Sequence, residues 1–178
     1  MTTQPAQARN LDGYGAPLIP WEKVRDRLGQ GVSQAPGTGG PNRHTCWLAT
    51  VRPDGRPHVM PLGALWMDER FYFTAGPGTR KAKNLARDPH CVITVATDPF
   101  DLVVEGKAVK VTDEATLQRV CGAYNSEGWP AIVRDGALHA DYSAPSAGPP
   151  PWYVYEVRPA TAYVLGAEDP YGATRWTF

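Results

Sequence analysis

The sequence predicts a mainly β, α+β fold: an antiparallel barrel with a few flanking helices. Strand–turn–strand units recur between residues 44 and 113 and again near the C-terminus. The strand–helix–strand alternation that a parallel sheet needs is absent. Helical patterns are few and short, and no internal repeat is present.

Residues 1–19 read as a tail. The stretch "PWEKVRDRLGQG" (20–31) predicts a short helix, with Pro at its start, Gly at its end, and Trp21, Val24 and Leu28 at helical spacing. The Gly- and Pro-rich segment 30–42 reads as a linker. "HTCWLATV" (44–51) is rich in β-formers, and "RPDG" (52–55) is a hairpin turn. "RPHVMPLGALWMD" (56–68) returns as one strand bent at Pro61 or Gly63, and "ERFYFTA" (69–75) follows as a third. A helix is expected over 79–88. Strands are expected over 90–98 and 101–113, the latter bulged at Gly106. A helix capped by Asp113 is expected to run to 128, and 151–167 reads as the last strand pair. The chain thus divides into residues 1–43, carrying tail, helix and loop, and residues 44–178, the barrel.

With 178 residues, one domain is expected. Apolar residues make up 42 % and charged residues 20 %, ordinary for a globular protein. The formal net charge is zero, which argues against a general nucleic-acid or membrane-surface binder. No apolar run is long enough to span a bilayer, and the first residues lack the apolar centre of a signal peptide. Cys46, Cys91 and Cys121 form no CxxC and read as reduced thiols of a cytoplasmic protein.

The chemistry concentrates in "FYFTAGPGTRKAKNLARDP" (71–89). A strand ends at Thr74, a Gly-Pro-Gly turn follows, and Thr79-Arg80-Lys81 opens a helix. Cations at a helix N-terminus oppose the macrodipole. An anion there removes the conflict, because helix N–H groups and two cations together make a phosphate cradle. The competing reading is a solvated basic helix face. Lys83 and Arg87, like charges four apart, are expected to face solvent.

The order "ATVRPDGRPHVMPLGALW", "FYFT", "TRKAKNL", "DPHCVITV", "LVVEGKAVKV" resembles the pyridoxamine-phosphate-oxidase-like family of FMN-binding proteins over residues 44–165. The resemblance implies a six-stranded split β-barrel. It implies that Arg80 and Lys81 hold the FMN phosphate. Thr79, Asn84 and Leu85 complete the motif, and Thr74 stands at the hydroxyl position of the strand end. Val59, Met60, Pro61 and Leu62 match the strand whose backbone lies along the isoalloxazine ring. It also implies a homodimer with cofactor sites at the subunit interface. The chain ends "ATRWTF", where the true oxidase carries an Arg-Leu-x-Pro tail, so vitamin B6 synthesis is not expected. The ending and "EGKAVKV" look more like the flavin/deazaflavin oxidoreductase branch. Its members use FMN or coenzyme F-420, whose anionic tail Arg56, Lys83 and Arg87 could meet. The implied function is hydride transfer between FMN (or F-420) and a small organic substrate. The alternative is a non-catalytic flavin- or haem-binding protein.

The remaining candidates are weaker. Arg175 and Trp176, in an aromatic tail, are candidates to cover a cofactor of the same or the partner subunit, or to pack on the barrel. His44 and Cys46 share a strand face but lack the further ligands of a metal site, so no metal is expected. His90-Cys91 reads as structural. His58 also reads as structural, with a cofactor or substrate contact as its other candidate role. His139 is a candidate for a substrate mouth, and Tyr124 with Trp129 for a substrate wall. Trp66 and Trp152 read as core or interface aromatics.

Overall fold

The structure is a computed structural model that describes residues 4–36 and 44–178. Its elements are β1 (Gln7–Asn10), α1 (Trp21–Gly29), β2 (Cys46–Val51), β3 (Pro57–Leu62), β4 (Leu65–Met67), β5 (Arg70–Ala75), α2 (Arg80–Arg87), β6 (His90–Ala96), β7 (Phe100–Lys110), α3 (Glu114–Ser126), β8 (Ile132–Arg134), β9 (Ala137–His139), β10 (Tyr153–Gly166) and β11 (Ala173–Thr177). All ladders between these strands are antiparallel. The mainly β architecture is therefore the expected one. The long strands β2, β3, β5, β6, β7 and β10 form its frame.

The main ladder runs β1-β11-β10-β7-β6-β2-β3, with β5 branching from β10 and carrying β4. The fork is made by β10. One edge pairs with β7 from Tyr155 to Gly166. The other edge takes β5 along Tyr153–Val157 and then β11 along Thr161–Leu165. Between the two lies a register shift at Pro159/Thr161. Proline lacks the N–H a ladder needs and suits such a bulge. Gly106 faces it, and a Cβ there would overlap the Arg158 carbonyl oxygen. The bulge expected at Gly106 thus belongs to the facing strand. For the same reason 151–167 holds one bent 14-residue strand and not a strand pair.

Leu48 of β2 and Phe73 of β5 belong to one hydrophobic core, although they lie far apart along the ladder. The sheet must curl for them to meet. The helical period of α1 brings Trp21, Val24 and Leu28 into this same core. A second core lies under α3, where Leu117, Val120 and Tyr124 meet Trp129, Trp152 and Val154. Both faces of β5 are used: Phe71 and Phe73 enter the first core, Tyr72 the second. Cys46 and Cys91 are buried in the first and Cys121 in the second.

Several elements differ from the sequence reading. The expected tail contains β1, which zips onto β11 from Gln7↔Thr177 to Asn10↔Thr174. All four β1 residues are exposed, so no apolar alternation marks the strand. Ile19 is buried, and its N–H donates to the Thr174 hydroxyl at 2.8 Å. The expected strand 56–68 breaks at Gly63-Ala64 into β3, which pairs with β2, and β4, which pairs with β5. The β4–β5 turn places Asp68 and Glu69 at φ 53° and 58°, the left-handed pair of a tight hairpin, without the usual Gly or Asn. The β8–β9 hairpin turns at Asp135-Gly136 inside a segment read as loop. Residues 37–43, the end of the expected linker and of the expected 1–43 division, lie outside the described residues.

Candidate functional site

Two local devices set the start of α2. Gly76 leaves β5 under the loop that precedes β10, and a Cβ there would sit 2.7 Å from the Ala147 carbonyl oxygen. Thr79 is the N-cap. Its hydroxyl accepts from the Ala82 N–H at 3.4 Å and donates to the Gly76 carbonyl at 2.7 Å. The Thr79 oxygen is therefore committed to the turn. No acidic residue stands in the first turn of α2. Arg80 is exposed, and Lys81 is half-buried. Among the described residues, neither side chain has a hydrogen bond or an ion pair. Burial lowers the Lys81 pKa from its ordinary value, since no anion offsets the lost hydration.

The body of α2 is clamped onto β2. Ala82 and Leu85 enter the core. The buried Asn84 amide donates to the Thr50 hydroxyl at 2.9 Å. One Arg87 nitrogen donates to the Val51 and Arg52 carbonyls, both at 3.0 Å. The Asn84 amide thus ties α2 to β2. Arg87 is exposed as expected but tied down.

His58 stands opposite Thr50 on β3. Its Nδ1 is buried with no partner. Burial depresses its pKa first, and the charges of Arg52, Arg80 and Lys81 add to the effect. Arg52, Arg80 and Lys81 thus act on His58 together, and among the described residues no carboxylate offsets them there.

A cavity of about 430 Å³ opens at Lys81, while Arg52, His58 and Arg80 do not line it. Pro61, Leu62 and Gly63 from the end of β3, Thr74 from β5 and Lys81 from α2 form one side. Ser143–Ala147 and the 34–36 segment form the other. A neighbouring cavity of about 420 Å³ runs under Gly76–Thr79 and shares Ser146 and Ala147. Beneath Thr74 the Tyr124 hydroxyl is buried without a hydrogen bond of good geometry, with Thr74 as its polar neighbour.

Of the residues singled out in the sequence, Pro61, Leu62, Thr74 and Lys81 share this cavity, and Thr79 lines the adjoining one. Met60 is half-buried and lines neither. Val59 is exposed on the outer face, near Trp47. Arg175 and Trp176 lie on β11 and line neither cavity. Trp176 is 1 % exposed and packs edge-on against Trp21 at 5.3 Å. The aromatic tail is therefore a core strand, because β1 and β10 enclose it. Arg175 lies 6.0 Å over the Tyr163 ring, its Nε buried and unpaired. Trp129 and Tyr124 make no substrate wall: both are fully buried in the second core. His139 meets Arg134 at 2.7 Å on the β8–β9 hairpin, away from both cavities. Sequence reading missed Ser143–Ala147 and Arg52, and it held a cofactor or substrate contact of His58 only as that residue's other candidate role. The first is a Pro-rich connector, and the second depends on how a hairpin folds back over α2.

A model of the pyridoxamine 5'-phosphate oxidase family matches residues 40–165. Comparison with curated proteins finds no match. Among solved structures, a conserved hypothetical protein of Mycobacterium tuberculosis superposes with a TM-score of 0.62 at 16 % identity, covering 88 % of this chain and 91 % of that one. A Listeria innocua protein assigned as a pyridoxamine 5'-phosphate oxidase gives 0.55 at 17 %, covering 81 % and 96 %. PhzG of Burkholderia lata, solved with tetrahydrophenazine-1-carboxylic acid, gives 0.51 at 14 %, covering 89 % and 83 %. At these identities the superpositions speak for the fold, while the family match spans most of the barrel. The chain belongs to the pyridoxamine 5'-phosphate oxidase family.

Proposed function

We propose that this chain is a flavin-dependent oxidoreductase that holds FMN by its phosphate at the start of α2. The observation that supports this is Lys81, which lines a cavity bordered by Pro61, Leu62 and Thr74, with Arg80 next to it at the helix start, both cations without partners among the described residues. A phosphate there would meet the α2 N–H groups and both cations. The β3 edge would lie along the flat ring. When bound, the flavin supplies hydride exchange with a small organic molecule. The chain's own part is to anchor, orient and shield it.

FMN is preferred over coenzyme F-420. The longer anionic tail of F-420 calls for free basic side chains, yet Arg56 is paired with Asp54 at 2.7 Å and Arg87 serves backbone carbonyls. Only Lys83 of the three expected contacts has no such engagement among the described residues. A homodimer is part of the proposal. Trp47 and Val59 are exposed, and an apolar depression of about 670 Å³ crosses β2, β6 and β7. Such surface favours a second copy. In that dimer Arg175, not Trp176, is the tail residue able to meet a cofactor. The buried thiols fit a cytoplasmic enzyme.

A non-catalytic flavin binder is the second reading. It is favoured by the cavity lining, where Lys81 is the one side chain of the acid–base kind.

The test is a titration of the purified protein with FMN and, separately, F-420, followed by tryptophan quenching. Tight FMN binding that weakens by about 1.5–3 kcal/mol for each of Arg80→Ala and Lys81→Ala supports the anchor. Unchanged affinity in the double variant rejects it. Steady dye reduction by the loaded protein with a reductant excludes the pure binder.

A further inference from the structure

His58 is the least explained group near α2. Its Nδ1 is buried and, among the described residues, has no partner, on an edge strand that pairs with β2. From β2, Thr50 faces it across the ladder, and the Thr50 hydroxyl approaches the His58 carbonyl at 3.4 Å. From the hairpin, Arg52 is within electrostatic reach. From α2, Arg80 and Lys81 are within reach as well. The nearby carboxylate, Asp54, is turned to Arg56 and held by it. Among the described residues, the charges that act on His58, those of Arg52, Arg80 and Lys81, therefore all oppose its protonation. A bound dianion would reverse this, because it neutralises the cations and itself attracts a fourth positive charge.

We propose that His58 is the proton-accepting member of an anion site formed with Arg52, Arg80 and Lys81, so that a phosphate-type group binds together with a proton. This rests on the phosphate anchor proposed above and adds its regulation: binding takes up a proton and strengthens as pH falls. Linkage fixes the sign. If the anion prefers protonated His58, then the anion must raise the pKa of His58 by the same factor. A rise of about one unit corresponds to roughly tenfold tighter binding below the titration than above it. The FMN phosphate itself gains a proton near pH 6, which obscures the effect. Sulfate stays a dianion through this range and is the cleaner probe.

The experiment follows the ring resonances of the four histidines by NMR between pH 5 and 8.5, with His58 assigned by His58→Gln. The titration is run on the free protein, with sulfate and with FMN. The expected result is that sulfate and FMN each raise the His58 midpoint by about one unit, leaving His44, His90 and His139 in place. The sulfate effect should disappear in Arg80→Gln/Lys81→Gln. If FMN binds, by tryptophan quenching, and His58 does not move with either anion, the inference is overturned while the flavin reading stands. If sulfate shifts His58 but FMN fails to bind, the anion site stands and the flavin reading falls. If neither anion shifts His58 and FMN does not bind, both fall.

Discussion

Asn84 on α2 donates a 2.9 Å hydrogen bond to the Thr50 hydroxyl on β2, and both side chains are 2 % exposed. The Thr50 hydroxyl in turn reaches the His58 carbonyl on β3 at 3.4 Å. Helix and hairpin are thus joined through one polar line inside an apolar core. Removing one end leaves a buried polar group without a partner. Asn84→Ala is expected to cost about 1–3 kcal/mol in urea unfolding, and Thr50→Val a similar amount. Asn84→Ala with Thr50→Val should cost clearly less than the sum of the two single changes, since neither partner is then orphaned. Strict additivity would show that the two groups do not depend on each other.

Lys81 offers the opposite balance. Burial lowers its pKa, so its charge is a liability to the empty fold. The sign is fixed by linkage. At neutral pH Lys81 is charged in both folded and unfolded chains, and the penalty is fully present. It fades as pH rises through the lowered folded value toward the ordinary one. Lys81→Met is therefore expected to stabilise the ligand-free protein by roughly 0.5–1 kcal/mol at pH 7. The same change should weaken FMN binding. The gain should shrink toward pH 10. A destabilised Lys81→Met protein, measured by thermal unfolding without ligand, would show that the ammonium has a partner in the fold.

Gly76 controls the loop above the cavity. An added Cβ meets the Ala147 carbonyl oxygen at 2.7 Å, and backbone on both sides must yield. Gly76→Ala is expected to remain folded, with a loss of about 1 kcal/mol, and to displace Ser143–Gly148. Amide chemical shifts should change along that loop as well as at residues 75–77. Cofactor affinity should change several-fold. Changes confined to 75–77 would mean that the loop does not rest on the glycine.

Trp176 joins Trp21 and Phe178 in a cluster of edge-on rings, and Trp21 is 5.1 Å from Phe178. Trp176→Ala should cost about 3–5 kcal/mol, as expected for a large aromatic deleted from a core. Its effect on cofactor binding to the folded fraction should be small. A variant with native stability and lost binding would return this residue to the role of a cover.

The readable parts of the sequence are those in which one face is buried. Alternation in β2, β6 and β7 and the helical period of α1 report burial directly, so these elements were legible. Thr79 and Asp113 carry side-chain caps, and both helix starts were legible for that reason. β1 has no buried side chain and gave no signal. β10 hides its length because Pro159 sits at the fork, and a proline in mid-strand reads as an end. In the candidate site, Thr79, Arg80 and Lys81 were legible as a local motif. The approach of Ser143–Ala147 was not, because loop-to-helix proximity across more than 60 residues leaves no period in a single sequence. Asn84 was visible by its place in the motif, but its use could be assigned only once Thr50 was beside it.

The three cysteines are all buried, and burial pushes the Cys46 and Cys91 thiols up to about 12. At neutral pH they are protonated and closed off, so a thiol reagent can reach them only when the structure opens. The molecule therefore carries three internal clocks, none of which needs engineering. Cys46 on β2 and Cys91 on β6 time the opening of the barrel interior, and Cys121 on α3 times the release of the helix that roofs the other core. Equal labelling rates would make the two cores one cooperative unit. A faster Cys121 would mean that the α3 layer breathes while the barrel stays shut.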